Sequence, residues 1–146
     1  MNWEENHPQL GVEFDWIALD DAECVGFFST AGFGAIPSWL VATVTQQQQQ
    51  DLLGVLQALP ARPGEATVRP ERYNRDEWID LATRGLYAYD WNHETDSYEI
   101  IASPPEPLRL DDIADIRWKE FLRRCRIDGS FSEMVEIRTS GDGLSR

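Results

Sequence analysis

The side chains that could act as nucleophiles or metal ligands are few. The 146-residue chain has two cysteines, Cys24 and Cys125, and two histidines, His7 and His93. A cysteine nucleophile needs a base beside it, and the sequence places neither histidine next to a cysteine. No HxxxH or CxxC spacing occurs, so a zinc site would have to be assembled from scattered residues. We therefore expect both cysteines to be reduced, buried and structural, and we expect no metal and no cofactor.

Two segments begin like ligand-binding motifs and then depart from them. Residues 32–34, Gly-Phe-Gly, open like the glycine-rich turn that binds dinucleotides, but Pro37 stands where that motif has its third glycine. Residues 90–101 have the length of a calcium-binding loop, but Thr95 replaces the glycine of its turn and Ile101 replaces its last glutamate. Since no catalytic pattern emerges, we expect a protein that is not an enzyme.

Two β-hairpins are predicted from runs of aromatic and β-branched residues. Residues 14–30 contain two such runs on either side of an acidic turn at 20–23. A second hairpin is predicted with arms at 86–91 and 97–102, joined by the polar loop 92–96. These turns would carry polar side chains at the ends of rigid strands.

An amphipathic helix is predicted after Thr45. Thr45 and Gln48 fit a capping box, and a leucine-rich stripe follows as far as Pro60. We expect the glutamine run 46–50 to form a solvated face of this helix. Residues 38–45 fit either a short helix that begins at Pro37 or a buried strand, because so short an apolar run has no decisive period.

Two further helices and a last strand are predicted from capping residues and apolar spacing. Asn74 is expected to cap a short helix that Gly85 ends. Asp111 is expected to cap a helix whose apolar side reaches Cys125. A last short strand is predicted to span residues 131–137.

The order of these elements predicts a single α+β domain at residues 1–138. We expect a mostly antiparallel sheet built from hairpins with helices packed on one face. Residues 60–74 contain three prolines and are expected to form a loop, and residues 139–146 a flexible tail. The chain is 42% hydrophobic and has six tryptophans, so it has enough apolar surface to fold alone.

The charge of the chain limits its partners. The sequence has 26 acidic and 13 basic residues, for a net charge of -13, and its first 61 residues contain eight acids but no Lys or Arg. Such a surface repels phosphate backbones and anionic lipids, so we expect neither direct nucleic-acid binding nor membrane binding. A basic protein partner fits this field, although excess charge also keeps a small domain soluble.

The beginning of the sequence and its hydropathy predict the compartment. Residues 1–8 have neither the basic nor the apolar region of a secretory signal. No run approaches the ~20 apolar residues that a membrane helix needs. We therefore expect a cytoplasmic protein, present as a monomer or a homodimer.

The segment 16–37, WIALDDAECVGFFSTAGFGAIP, is similar to the hairpin-then-glycine segment of small acidic immunity proteins of bacterial polymorphic toxin and type VI secretion systems. It covers about a sixth of the chain. The resemblance implies a protein that binds a cognate toxin and occludes the toxin's active site. For such a protein, the lack of a secretory signal in residues 1–8 points to a toxin that acts in the cytoplasm rather than on the cell wall.

Acidic side chains and an aromatic residue at the hairpin ends are the candidate contacts to a basic toxin or effector. These partner-binding candidates are Asp20, Asp21, Glu23, Asp90, Trp91, Glu94 and Asp96. The alternative is a small-ligand-binding or regulatory domain with an aromatic pocket. That pocket would be lined by Trp39, Trp78, Tyr87 and Tyr89.

Overall fold

The computed structural model describes residues 14–31, 34–38, 40, 44–69 and 76–138. The strands are β1 (Asp15–Leu19), β2 (Val25–Ser29), β3 (Thr67–Val68), β4 (Tyr87–Asn92), β5 (Ser97–Ser103) and β6 (Glu136–Arg138). The helices with described bounds are α1 (Gln46–Gln57), α2 (Asp76–Thr83) and α3 (Ile116–Arg123). Two 3₁₀ turns, Leu110–Asp112 and Phe131–Glu133, precede and follow α3.

Both predicted hairpins are present, and they lie side by side in one sheet. β1 pairs antiparallel with β2, and β4 pairs antiparallel with β5. β2 and β4 run parallel, with Gly26 beside Tyr87 and Ser29 beside Asp90. The short strands β3 and β6 pair antiparallel with the other edge of β5. The sheet is therefore mostly antiparallel, and the predicted α+β fold class is confirmed.

A row of aromatic rings crosses one face of the sheet. Trp16, Phe28 and Tyr89 lie on neighbouring strands, and their rings stack with centroid distances of 4.1 Å and 4.9 Å. Phe131 covers the row, with its ring centroid 5.9 Å from that of Phe28. A Cβ atom on Gly26 would lie 2.7 Å from the Phe131 ring, so glycine is required for this close packing. These aromatic residues therefore fill the core.

Helix α1 begins as predicted, but one of its glutamines is buried. The Thr45 side chain accepts a hydrogen bond from the Gln48 backbone, and the Gln48 side chain accepts one from the Thr45 backbone, which completes the capping box. Gln49 is 0% exposed and lies on the same helix face as Leu52 and Leu56. The prediction of a fully solvated glutamine face is therefore wrong at Gln49, which starts the apolar stripe.

Helix α2 ends where predicted because Gly85 adopts a left-handed conformation. Its φ is 108°, and glycine adopts such a positive φ with little conformational strain because it has no Cβ atom. The Gly85 N–H donates to the carbonyl of Ala82, and the Leu86 N–H donates to that of Leu81. This pair of bonds satisfies the last carbonyls of the helix. The predicted cap Asn74 lies outside the described residues.

Helix α3 begins later than predicted. Its N-cap is Asp115, whose carboxylate accepts a hydrogen bond from the Arg117 backbone. Asp111 instead lies inside the 3₁₀ turn Leu110–Asp112, so the prediction that it caps this helix is wrong. Ile113 is buried and adopts an extended conformation (φ -90°, ψ 120°), which separates the 3₁₀ turn from the helix.

Other segments differ from their predictions or lie partly outside the residues that the structure describes. Residues 131–137 divide into a 3₁₀ turn and β6, so the predicted strand is shorter. The predicted loop at 60–74 contains β3 and is described only to residue 69. Ser38 and Leu40 are helical, and the Val44 N–H donates to the Leu40 carbonyl. The predicted tail at 139–146 lies outside the described residues.

Candidate functional site

The two acidic turns that carry the candidate contacts lie at opposite ends of the sheet. The β1–β2 turn precedes Val25, whereas the β4–β5 turn follows Asn92. Because β2 and β4 run parallel with Gly26 beside Tyr87, Asn92 lies five residues farther along the sheet. At about 3.3 Å per residue, this amounts to about 17 Å along the strands. The seven candidate residues therefore form two separate groups.

Asp20 is a structural residue of the first turn. It is 1% exposed, and one carboxylate oxygen accepts hydrogen bonds of 2.9 Å from the Ala22 and Cys24 backbones. The other oxygen accepts a 2.8 Å bond from the Phe131 backbone. This carboxylate fixes the turn and ties it to the cover of the aromatic row. Its burial leaves no side-chain surface for a partner.

Three chain segments meet around this turn. Asp21 and Gly129 exchange two hydrogen bonds, one through each backbone N–H. On the other side, the Leu110 N–H donates to the Glu23 carbonyl, and the Arg109 guanidinium donates to the Ala22 carbonyl. These contacts hold residues 20–23, 109–112 and 126–129 together at one end of the sheet.

We call the solvent-accessible carboxylates of these segments the acidic end. Its members are Asp21, Glu23, Asp111, Asp112 and Asp128. Three guanidinium groups lie among them: that of Arg126 is 3.0 Å from Glu23, that of Arg62 is 3.4 Å from Asp112, and that of Arg109 belongs to the same segment as Asp111. The side chains of Asp21 and Asp128 are exposed. The acidic end is thus a rigid surface on which carboxylates outnumber cations.

The second predicted turn offers less surface than expected. Glu94 and Asp96 are exposed, but Asp90 is buried. Trp91 is 8% exposed and packs edge-on against Tyr98 at 5.0 Å. The expectation of an accessible tryptophan at this hairpin end is therefore wrong, because strand pairing places Trp91 in the core.

The residues of the predicted aromatic pocket are found mainly in the core. Tyr89 is fully buried, and its hydroxyl donates a 2.6 Å hydrogen bond to the Met134 carbonyl. Tyr87 is also buried, with its ring 5.7 Å from that of Phe131. Trp78 is half-buried, and Trp39 lies outside the described residues. Packing accounts for both tyrosines, and a hydrogen bond also holds Tyr89.

The cysteines are free and buried, as predicted. Burial raises the pKa of the Cys125 thiol to about 12. Burial, and then the negative charge of Asp20, also raise the pKa of Cys24. A thiol with a raised pKa is a weak nucleophile at neutral pH, because the thiolate is the reactive form.

The acidic end includes residues that sequence reasoning did not select. From the sequence, Asp111 is expected only to cap a helix, and no pattern marks Asp112 or Asp128 as a partner contact. Each precedes or follows the third helix in the sequence, about 90 to 110 residues after the first turn. The pairing of residues 125–127 with Leu19 brings Asp128 beside it, and the contacts of Arg109 and Leu110 with residues 22–24 bring Asp111 and Asp112. The sequence offers no local signal for these contacts.

Comparisons with known proteins give no family for this chain. No family model matches it, and neither a curated protein nor a solved structure is detectably similar to it. Among the residues that the structure describes, no group of His, Cys, Asp or Glu side chains could hold a metal ion. Within the same residues, no helix has both the length and the apolar composition to cross a membrane.

Proposed function

We propose that this protein binds a basic protein toxin or effector and inhibits it, as immunity proteins of bacterial polymorphic toxin systems do. The observation that carries the proposal is the acidic end, where three distant segments present five carboxylates on a hydrogen-bonded framework. The partner would act in the cytoplasm, where the inhibitor would meet it.

The rigidity of the acidic end supports binding rather than simple solvation. Side chains on a mobile loop must be ordered when a partner binds, which lowers affinity. Asp20 and the bonds between Asp21 and Gly129 already order this surface. A preorganised group of carboxylates can therefore attract and orient a basic partner at little entropic cost.

The net charge supports fast encounter with such a partner. A charge of -13 on a 146-residue chain creates a long-range field that steers cations toward the surface. Charge steering acts mainly on the association rate and weakens as salt screens it. Inhibition would follow from occlusion, since a toxin's basic substrate-binding cleft is the surface that best complements carboxylates.

The test uses the full-length tagged chain and two charge-reversal variants. One variant combines Asp111→Lys and Asp128→Lys at the acidic end. Its matched control combines Glu94→Lys and Asp96→Lys at the other end of the sheet, where the net charge changes equally. Proteins that co-purify from the native cells at low and at moderate salt are identified, and the purified partner is used to measure association rates and inhibition.

We expect a stoichiometric basic partner whose activity the wild-type chain inhibits and whose binding weakens as salt rises. The acidic-end variant should associate at least about tenfold more slowly, and the control should remain near the wild-type rate. Equal slowing in both variants would show that the contact is not at the acidic end. A partner that is bound but not inhibited would contradict the toxin-inhibitor function.

A further inference from the structure

The basic residues of this acidic protein are concentrated on α3 and the residues directly after it. Five of the 13 Lys and Arg residues lie in the ten-residue stretch 117–126. They are Arg117, Lys119, Arg123, Arg124 and Arg126. Only Glu120 adds a negative charge within that stretch. The helix therefore has the opposite sign to the rest of the surface.

The outward face of α3 combines these cations with an apolar side chain. Ile116, Lys119, Glu120 and Arg123 follow the spacing of a single helix face. Ile116 is 58% exposed, and Arg123 is also exposed. The opposite face buries Phe121 and Leu122 against the protein. Lys119 is half-buried and Glu120 is exposed, so this face carries two cations, one carboxylate and an uncovered isoleucine at its start.

Helix stabilisation does not account for all of these charges. Cations favour the last turn of a helix, which explains Arg123. Arg117 and Lys119 lie near the first turn, where the helix dipole disfavours positive charge. Arg117 is held by Asp115 at 2.8 Å, whereas Lys119 and Arg123 form no ion pair with any described residue. Their charges remain available to a partner.

We propose that the exposed face of α3 binds a short acidic protein segment that carries an apolar side chain. Carboxylates of the segment would pair with Lys119 and Arg123, and its apolar side chain would cover Ile116. An eight-residue helix is about 12 Å long, so it matches only one or two turns of a partner helix. This site differs from the acidic end, and the proposal does not depend on the toxin-inhibitor function.

The charges that flank α3 favour an acidic protein segment over a nucleic acid. Asp115 lies directly before the helix, Asp111 and Asp112 precede it, and Asp128 follows it. A continuous phosphate backbone that extended past either end of α3 would meet these carboxylates. A short segment with its carboxylates near Arg123 and its apolar residue near Ile116 avoids them.

The test measures fluorescence anisotropy of a fluorescein-labelled oligoglutamate peptide that carries a single leucine, titrated with the full chain at low salt. A labelled oligodeoxynucleotide of the same charge is titrated in parallel. The variants are Lys119→Glu, Arg123→Glu and Ile116→Ser. The matched controls are Arg138→Glu, an exposed cation on β6, and Val135→Ser, an apolar side chain that is 71% exposed.

We expect saturable peptide binding that each α3 charge reversal weakens at least about threefold. Ile116→Ser should weaken it at least about twofold, because less apolar surface is covered. Both controls should bind like the wild type. The proposal is wrong if the peptide does not bind, if the controls weaken binding equally, or if the oligodeoxynucleotide binds more tightly through the same residues.

Discussion

The side-chain amide of Gln49 takes the place of a neighbouring strand at the edge of the sheet. Its oxygen accepts a 2.8 Å hydrogen bond from the Ile17 backbone, and its nitrogen donates to the Ile17 carbonyl at 3.4 Å. Two residues farther along β1, Leu19 pairs with the backbone of Cys125 and Ile127. The outer edge of β1 is thus covered at both positions, which limits pairing with another chain.

Replacing Gln49 should destabilise the fold, whereas replacing its neighbour should not. Gln49→Leu keeps the side-chain volume but leaves the Ile17 N–H and carbonyl buried without partners, at a cost of about 2–4 kcal/mol. Gln50→Leu changes an exposed residue of the same helix and should stay within about 0.5 kcal/mol. Chemical denaturation monitored by tryptophan fluorescence measures both. Equal stabilities of the two variants would contradict this role of Gln49.

The thiols should be protected while the protein is folded. Since the pKa of Cys125 is raised to about 12 and that of Cys24 is also raised, little thiolate exists at pH 8. We expect a disulfide reagent to react at least about a hundredfold more slowly with folded protein than with protein unfolded in guanidinium. The variants Cys24→Ala and Cys125→Ala show which thiol gives rise to each kinetic phase of the reaction. Rapid reaction of either thiol in the folded state would show that it is accessible.

At the scale of elements, Asp111 and Asp115 both precede α3, and from the sequence either could be its N-cap. The structure gives this role to Asp115. Asp115→Ala should lower the melting midpoint by about 2–6 °C, because the helix loses its N-cap. Asp111→Ala should leave it unchanged, because the Asp111 side chain bonds no described residue. Thermal unfolding followed by circular dichroism distinguishes them. If Asp111→Ala lowered the melting midpoint and Asp115→Ala did not, Asp111 would be the N-cap.

The contribution of Asp115 should depend on pH. Hydrogen bonding to the Arg117 side chain, followed by its backbone, lowers the pKa of Asp115 to about 2. A lowered pKa in the folded state means that the stabilisation is present above the usual pKa of about 4 and is lost as the pH falls toward 2. The difference between the wild type and Asp115→Ala should therefore be constant above about pH 5 and shrink below pH 4. A difference that stays constant to pH 2 would contradict the assignment.

At the scale of the whole molecule, charge repulsion opposes folding. A net charge of -13 should make the melting midpoint rise by about 3 °C or more as sodium chloride screens the carboxylates at pH 7. The same titration near the sequence pI of about 4.4 is the control, since little net charge remains there to be screened. A midpoint that rises equally at both pH values would point to a salt effect unrelated to net charge.

Much of the local structure follows from the sequence alone. Both hairpins, the capping box of α1 and the glycine that ends α2 depend on residues within a few positions of each other. Turn formation, capping and β propensity act over this range, so the residue types are sufficient. The fold class follows because the order of such elements allows few layer arrangements. The net charge is likewise a property of composition.

The tertiary structure decided which of these residues face solvent and which meet. Asp20 and Gln49 look like solvated polar residues, but each is buried because it satisfies backbone groups of a distant segment. The parallel pairing of β2 with β4 separated the two acidic turns, and the pairing of β4 with β5 packed Trp91 against Tyr98 in the core. The pairing of Leu19 with residues 125–127 brought Asp128 beside Asp21. Such contacts join residues tens of positions apart, and their geometry depends on how the whole core packs rather than on any local pattern.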